Sequence, residues 1–302
     1  MRIDARRPAV VLLTLLLLPI ALYGWLVQAD SLRVPGQFTY DAGPPVSDLE
    51  LLAWQLLPLL ELGVPIALVL LWLALGRPPL RAAPDRPEAA PLLLLSVFVW
   101  WSAADQLGLT ALQWTELPWT TVTLLWWGWL AVALYVLHRQ GFRSFKRWFH
   151  GGWHWPAVGL GIAATAVSWA IWTGLDQLIA WQLLTDEPNP MQTPLDAGPG
   201  IAVLDMMTTV AGAPVVEEIA YRGLLLGGLR AFVPDWLALV VSSALFALVH
   251  SYGLTGTLDV ALLGALFGLL YLRTGSLLAP IACHAGINAL SLLYEFLPLL
   301  SE

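Results

Sequence analysis

Glu217, Glu218 and Arg222 stand together in an otherwise apolar stretch, within Glu217-Glu218-Ile219-Ala220-Tyr221-Arg222. Ionisable groups in apolar surroundings are costly, and where they persist they mark a site or a polar pair. Glu218 and Arg222 are four residues apart, so on an α-helix they face one another as an ion pair, while Glu217 points about 100° away. Two carboxylates with one guanidinium leave one acid uncompensated and suited to accept a proton as a general base. His250 and His284 also lie in apolar runs, and His284 shares a helix face with Asn288 at the same four-residue spacing. A base carboxylate, two imidazoles and an amide suit the addition of water to a carbonyl. The acid deprotonates water, one imidazole holds it, and a His/Asn pair donates to the developing oxyanion. Two His and a Glu are equally a catalytic zinc ligand set, and residue types alone do not separate a directly activated water from a metal-bound one. Cys283 adjoins His284, but the side chains of helical neighbours diverge by about 100°. A small packing residue is the expectation there.

Elements that could carry such groups are long and apolar. Of the 302 residues 58% are hydrophobic and only 12% charged, with mean hydropathy +0.73, against about 25% charge in a soluble globular chain. This composition defines a membrane protein. Nine runs approach the roughly 20 apolar residues that cross a bilayer: Pro8–Gln28, Leu51–Leu75, Pro91–Leu112, Trp119–His138, Pro156–Leu184, Ile201–Leu229, Trp236–Ser251, Asp259–Leu272 and Leu277–Leu297. The seventh and eighth are short, and Pro65 or Pro214 could break the second or sixth. The first run follows Arg2, Arg6 and Arg7 and would pass as a secretory signal. With eight more apolar runs behind it, an uncleaved signal-anchor helix is expected.

The basic residues fall at alternate ends of these runs. Twelve of the fourteen Lys and Arg lie on one side and Arg33 lies opposite, among acids such as Asp30, Asp41, Asp48, Asp186 and Glu187. The positive-inside rule then places the amino terminus in the cytoplasm. A net charge of −7 with no basic tract argues against nucleic-acid binding, and a single cysteine excludes an internal disulfide framework. The fourteenth basic residue is Arg222, beside the two acids. Counting from the cytoplasmic ends, Glu217 lies 13 residues from Arg230, His250 lies 14 from Trp236 and His284 lies 11 from Arg273. At about 1.5 Å per residue these are roughly 20, 21 and 17 Å, so three spans carry polar groups at a common level.

Glu217-Glu218-x-x-x-Arg222, Phe246-x-x-x-His250 and His284-x-x-x-Asn288, in this order on successive late spans, closely resemble the three motifs of the CPBP family. These are the CAAX protease and bacteriocin-processing (Abi) membrane peptidases, including type II CAAX prenyl endopeptidases. The resemblance covers about residues 201–297. It implies an α-helical intramembrane endopeptidase with a glutamate-dependent mechanism. Glu217 and His250 would activate water, His284 and Asn288 would form the oxyanion hole, and Glu218 and Arg222 would support the first glutamate. No cofactor is implied by that mechanism. A minority view of the family as metalloproteases would make Glu217, His250 and His284 zinc ligands.

The expected architecture is therefore an all-α polytopic membrane protein of about eight to nine transmembrane helices, with the catalytic core in the last four. Residues 1–195 form an amino-terminal region of about five spans and unknown role, and residues 196–302 form the peptidase core. Arg outnumbers Lys 13 to 1, a usage that points to a GC-rich bacterial genome and so to an inner or plasma membrane. The expected partners are membrane lipids and a membrane-embedded or lipidated peptide substrate. The competing expectation is a non-catalytic membrane scaffold or bacteriocin self-immunity protein with the same fold.

Overall fold

The structure, a computed structural model, describes residues 14–19, 21–22, 91, 93–104, 127–128, 130–135, 138, 148–149, 155–179, 203–204, 206–250 and 254–296. These residues are helical apart from short turns, and no strand occurs among them. The expected span Leu51–Leu75 lies outside the described residues, and Pro8–Gln28, Pro91–Leu112 and Trp119–His138 are described only in part. Most of the basic residues behind the expected orientation, from Arg2 to Arg147, also lie outside them.

The chain divides into two compact units. One comprises Met1–Asp30 and Gln37–Phe142, the other Ser31–Gly36 and Arg143–Glu302. In the first, an apolar helix over Leu93–Ala104 brings Val99 and Ala103 into a buried cluster with Leu17 and Ala21.

Among its described residues the second unit has five main helices: α1, Trp155–Ile179; α2, residues 208–229; α3, Asp235–Leu248; α4, Leu254–Thr274; and α5, Leu278–Phe296. They follow the last five expected spans. The eighth is longer than expected, at 21 residues, because Thr255, Gly256, Thr257 and Asp259 are carried inside the helix rather than breaking it. Segments of α1 and α4, Trp155–Gly174 and Gly256–Thr274, are long and apolar enough to cross a membrane.

The core holds apolar side chains such as Leu224, Phe246 and Phe267, yet large apolar residues are also exposed and charged ones are buried with the core. Ile162, Val167, Val240 and Leu262 are exposed, while Glu217, Glu218, Arg222, Ser242, Ser243 and His284 are buried. Apolar residues outside and charged residues inside suit a hydrocarbon surround, where only the interior offers polar partners.

Close approach of α1 to α5 depends on small residues. A side chain at Gly161 would run into the backbone of Ala279 and the side chain of Ala282, and one at Gly286 would lie 2.6 Å from Thr165 Oγ1. Backbone contact through such residues is how helices associate in lipid, where the hydrophobic effect gives no drive between them. Cys283 is buried in this contact, and its carbonyl accepts a hydrogen bond from Thr165 Oγ1 at 3.1 Å, which fits the packing role expected of it. α4 ends where Gly275 takes φ 63°, a left-handed turn that glycine adopts without a Cβ clash. The Leu277 N–H then donates to the Trp148 carbonyl at 2.7 Å, leading into α5.

α2 departs from α-helical geometry. Pro214 does not break it. Instead the helix runs as π over Thr208–Gly212, α over Ala213–Glu217, π over Glu218–Leu226 and α again over Gly227–Leu229. The 100° step expected between Glu217 and Glu218 therefore applies only up to the junction, because beyond it the backbone bonds span five residues instead of four.

Candidate active site

α2 presents Glu217 and Glu218 at the junction where its α segment gives way to the longer π segment. All nine residues of that π segment are buried, and wide helical turns of this kind recur at functional sites. Arg222 Nη1 donates to Glu218 Oε1 at 3.0 Å, with both side chains fully buried. Arg222 Nη2 donates to the Gly264 carbonyl on α4 at 2.8 Å. The guanidinium carbon lies 4.3 Å from the Phe246 ring centroid and 5.3 Å from that of Phe267. A planar, weakly hydrated cation suits such a slot, since it stacks on rings and donates in its own plane. Gly264 makes the fit possible, because a Cβ there would lie 3.1 Å from Phe246 and 3.3 Å from Arg222 Nη2.

α5 brings His284 to the same carboxylates. Its Nδ1 lies 3.0 Å from Glu218 Oε1, and an ionised carboxylate only accepts, so Nδ1 carries the hydrogen. Its Nε2 lies 3.8 Å from Glu217 Oε2, an electrostatic contact too long for a hydrogen bond. Phe267 stacks on the imidazole at 4.7 Å and 18°, and Phe246 meets it edge-on at 5.8 Å. The ring is thus held by both its polar and its flat surfaces. Glu218 becomes the hub, with one oxygen accepting from both Arg222 and His284.

His250 follows the end of α3. Its Nδ1 donates to its own-turn carbonyl, Phe246 O, at 2.7 Å, so a neutral ring keeps the lone pair on Nε2. Phe246 packs edge-on against it at 4.8 Å, and His250 is within electrostatic reach of Glu217, His284 and Arg222. Asn288, one turn beyond His284, donates from Nδ2 to the Thr209 carbonyl on α2 at 2.8 Å. An amide nitrogen carries a second hydrogen.

Five of the six expected site residues thus come together, Glu217, Glu218, Arg222 and His284 buried and the half-buried His250 beside them through Phe246. Asn288 binds α2 a short way from them. The count that puts His284 at the same level as the other two is too long. The count from Arg273 crosses the turn at Gly275, and from the true start of α5 at Leu278 the histidine is only about 9 Å along the helix. Gly264, Phe267, Thr165 and Thr209 were not anticipated. The recurrence of Gly264 and Gly268 within an apolar helix was the one signal available, since glycine there marks close approach.

Glu217 Oε2, Glu218 Oε2 and Arg222 Nε are buried without a hydrogen-bond partner among the described residues. Zinc would need three or four donors about 2.0–2.2 Å from one point. Among the described residues no three His, Cys, Asp or Glu side chains are grouped so as to hold an ion, and His284 Nδ1 is turned to Glu218. This donor set does not fit a zinc site, and no step is drawn through one.

Among the described residues, helices that expose apolar side chains enclose a carboxylate–imidazole cluster, the arrangement of a helical integral membrane protein with an interior polar site. Residues 199–290 match the family model described as Rce1-like, type II CAAX prenyl endopeptidase, the resemblance read from the motifs. The chain is 28% identical over 112 residues to a protein of Bacillus subtilis named as a putative membrane peptidase, YdiL, covering 37% of this chain and 45% of that protein. It is 31% identical over 112 residues to an uncharacterised 24.3 kDa protein of Escherichia coli, covering 35% of this chain and 52% of that one. The chain thus spans about half the length of the curated relatives it matches. No solved structure matches.

Proposed function

We propose that this protein is an intramembrane endopeptidase that hydrolyses a peptide bond of a membrane-embedded substrate with water activated by Glu217 and His250. The observation that carries the reading is Glu217 Oε2, a buried carboxylate oxygen without a hydrogen-bond partner among the described residues and beside an imidazole. A base must have a lone pair to offer, and this oxygen has one that no neighbouring donor occupies.

In this mechanism Glu217 takes a proton from water while His250 Nε2 accepts the water's other hydrogen and aims it. The hydroxyl adds to the scissile carbonyl. His284 Nε2, carrying a proton, stabilises the oxyanion, while Asn288, engaged with the Thr209 carbonyl, serves to hold α2 and α5 together. Protonated Glu217 then gives its proton to the leaving amine as the C–N bond breaks, leaving a carboxylic acid that gives up its hydroxyl proton to water on release. Glu218 orients His284, and Arg222 balances Glu218. No cofactor takes part.

The wider reading is a chain of about nine spans in a bacterial inner membrane, with its amino terminus in the cytoplasm and residues 196–302 as the peptidase core. Its substrate is a membrane-inserted peptide rather than a prenylated tail. The test compares membrane peptides from cells carrying the wild-type protein, Glu217→Ala or His250→Ala. Processing is expected to disappear in both variants while each stays monodisperse and thermally stable in detergent. Continued processing by both would sink the peptidase reading, and loss that tracks instability would favour a scaffold.

A further inference from the structure

Asn288 faces an irregularity in α2 that proline creates. In the first π segment the Ala213 N–H reaches back five residues to the Thr208 carbonyl. The next carbonyl in that ladder belongs to Thr209, and the residue five further on is Pro214, which has no N–H to give. Asn288 Nδ2 donates to this carbonyl at 2.8 Å. A side chain of α5 thereby replaces the backbone donor that α2 lacks. The repaired carbonyl lies eight residues before Glu217, and the repairing residue lies one turn after His284. α2 and α5 are consequently tied at two points, Thr209 to Asn288 and Glu218 to His284, with Glu217 between the two ties along α2.

We infer that Asn288 is principally a positioning residue. By replacing the donor missing at Pro214 it holds the π register of α2 and so sets the placement of Glu217 and Glu218 against His284. The inference rests on the peptidase reading for its catalytic consequence but not for its structural one. A part-buried helix carbonyl left without its donor is destabilising. Truncating Asn288 therefore releases the stretch of α2 that leads into the two acids. Restoring an N–H at position 214 removes the need for Asn288, because the helix can then satisfy the Thr209 carbonyl itself.

The test is a double-mutant cycle on the full-length protein in detergent and in vesicles, with Asn288→Ala, Pro214→Ala and the pair. Thermal unfolding needs no substrate and reads the structural half. Asn288→Ala is expected to lower the unfolding midpoint clearly, and to lower it much less when Pro214→Ala is present. An Asn288→Ala protein that fails to fold alone but folds in the pair is the same result in stronger form. Equal loss in both backgrounds overturns the inference, as does a pair that also fails to fold. Turnover of a membrane-inserted peptide, per folded molecule, reads the catalytic half. Asn288→Ala is expected to reduce kcat about tenfold, the size of one lost hydrogen bond, with KM little changed. In the Pro214→Ala background the reduction is expected to shrink to about threefold or less. An undiminished kcat loss there, despite coupled unfolding midpoints, would mean that Asn288 acts directly on the reacting groups and would overturn the inference. Glu217→Ala is the control that separates the two claims. If it retains turnover, the peptidase reading fails while the unfolding cycle still judges the link between Asn288 and Pro214.

Discussion

Two ion pairs stand close together in the sequence and differ in almost every respect. Arg230 and Asp235, in the turn between α2 and α3, share two hydrogen bonds of 2.8 and 3.0 Å with side chains 41% and 56% exposed. Arg222 and Glu218 share one of 3.0 Å with both side chains fully buried. By bond count the turn pair is the stronger. By consequence the order reverses, because water competes with and replaces a broken surface pair, whereas a buried partner left alone has nothing to turn to. The strength of an ion pair here is set by what surrounds it when it breaks.

The largest effect expected falls on the buried cluster itself. Glu217→Ala removes the proposed base and should slow peptide hydrolysis by about 10²–10⁴-fold, the usual worth of general base catalysis, with unfolding little changed. Rate measurements on purified protein in vesicles check this. Arg222→Leu strands Glu218 and should cost about 3–5 kcal/mol of stability, read from chemical unfolding in detergent. The comparison sharpens if Arg222→Met is combined with Glu218→Gln. Losing both charges should restore most of the stability, while catalysis stays low because His284 has lost its anchoring carboxylate. A double variant no more stable than Arg222→Leu would contradict the view that isolation of the charge, rather than loss of the bond, dominates.

Next in size is the contact that carries α5. Gly286→Val would force a side chain against Thr165 and is expected to cost about 1–3 kcal/mol, as overpacking does, with some loss of activity through displaced His284. The smallest effect is at the turn. Asp235 is held below the usual carboxylate range by its hydrogen bond to Arg230, and Arg230 is raised by the same bond. A depressed acid contributes stability above its unfolded pKa and loses it as pH falls through the folded one. Arg230→Ala should therefore leave the unfolding midpoint nearly unchanged at neutral pH and flatten a shallow decline below about pH 4, the ordinary carboxylate range. A drop comparable to that of Arg222→Leu would break the comparison.

The site was more legible in the sequence than the helix that builds it. Charge in an apolar run is conspicuous because it is costly, so Glu217, Glu218 and Arg222 could be picked out unaided, and His250, His284 and Asn288 followed from helical spacing and motif order. The π register of α2 could not be read so. Pro214 warned of a broken ladder, but whether a helix stops, kinks or widens there depends on which neighbour supplies the missing donor. That neighbour, Asn288, is 79 residues away. Gly264 was equally hidden, because its carbonyl is the group that matters, and every residue has one.

The sequence by itself determined the class of the protein, the approximate positions of the last five helices and the chemical types in the cluster, since these follow from local composition and from the cost of charge in an apolar surround. Only the tertiary structure decided that Glu218 serves both Arg222 and His284, that Phe246 and Phe267 both pack against Arg222 and His284, and that Asn288 turns to Thr209. Each of these joins residues from different helices. A hydrogen bond or ring contact forms only within a few ångströms, and that proximity is set by how helices meet.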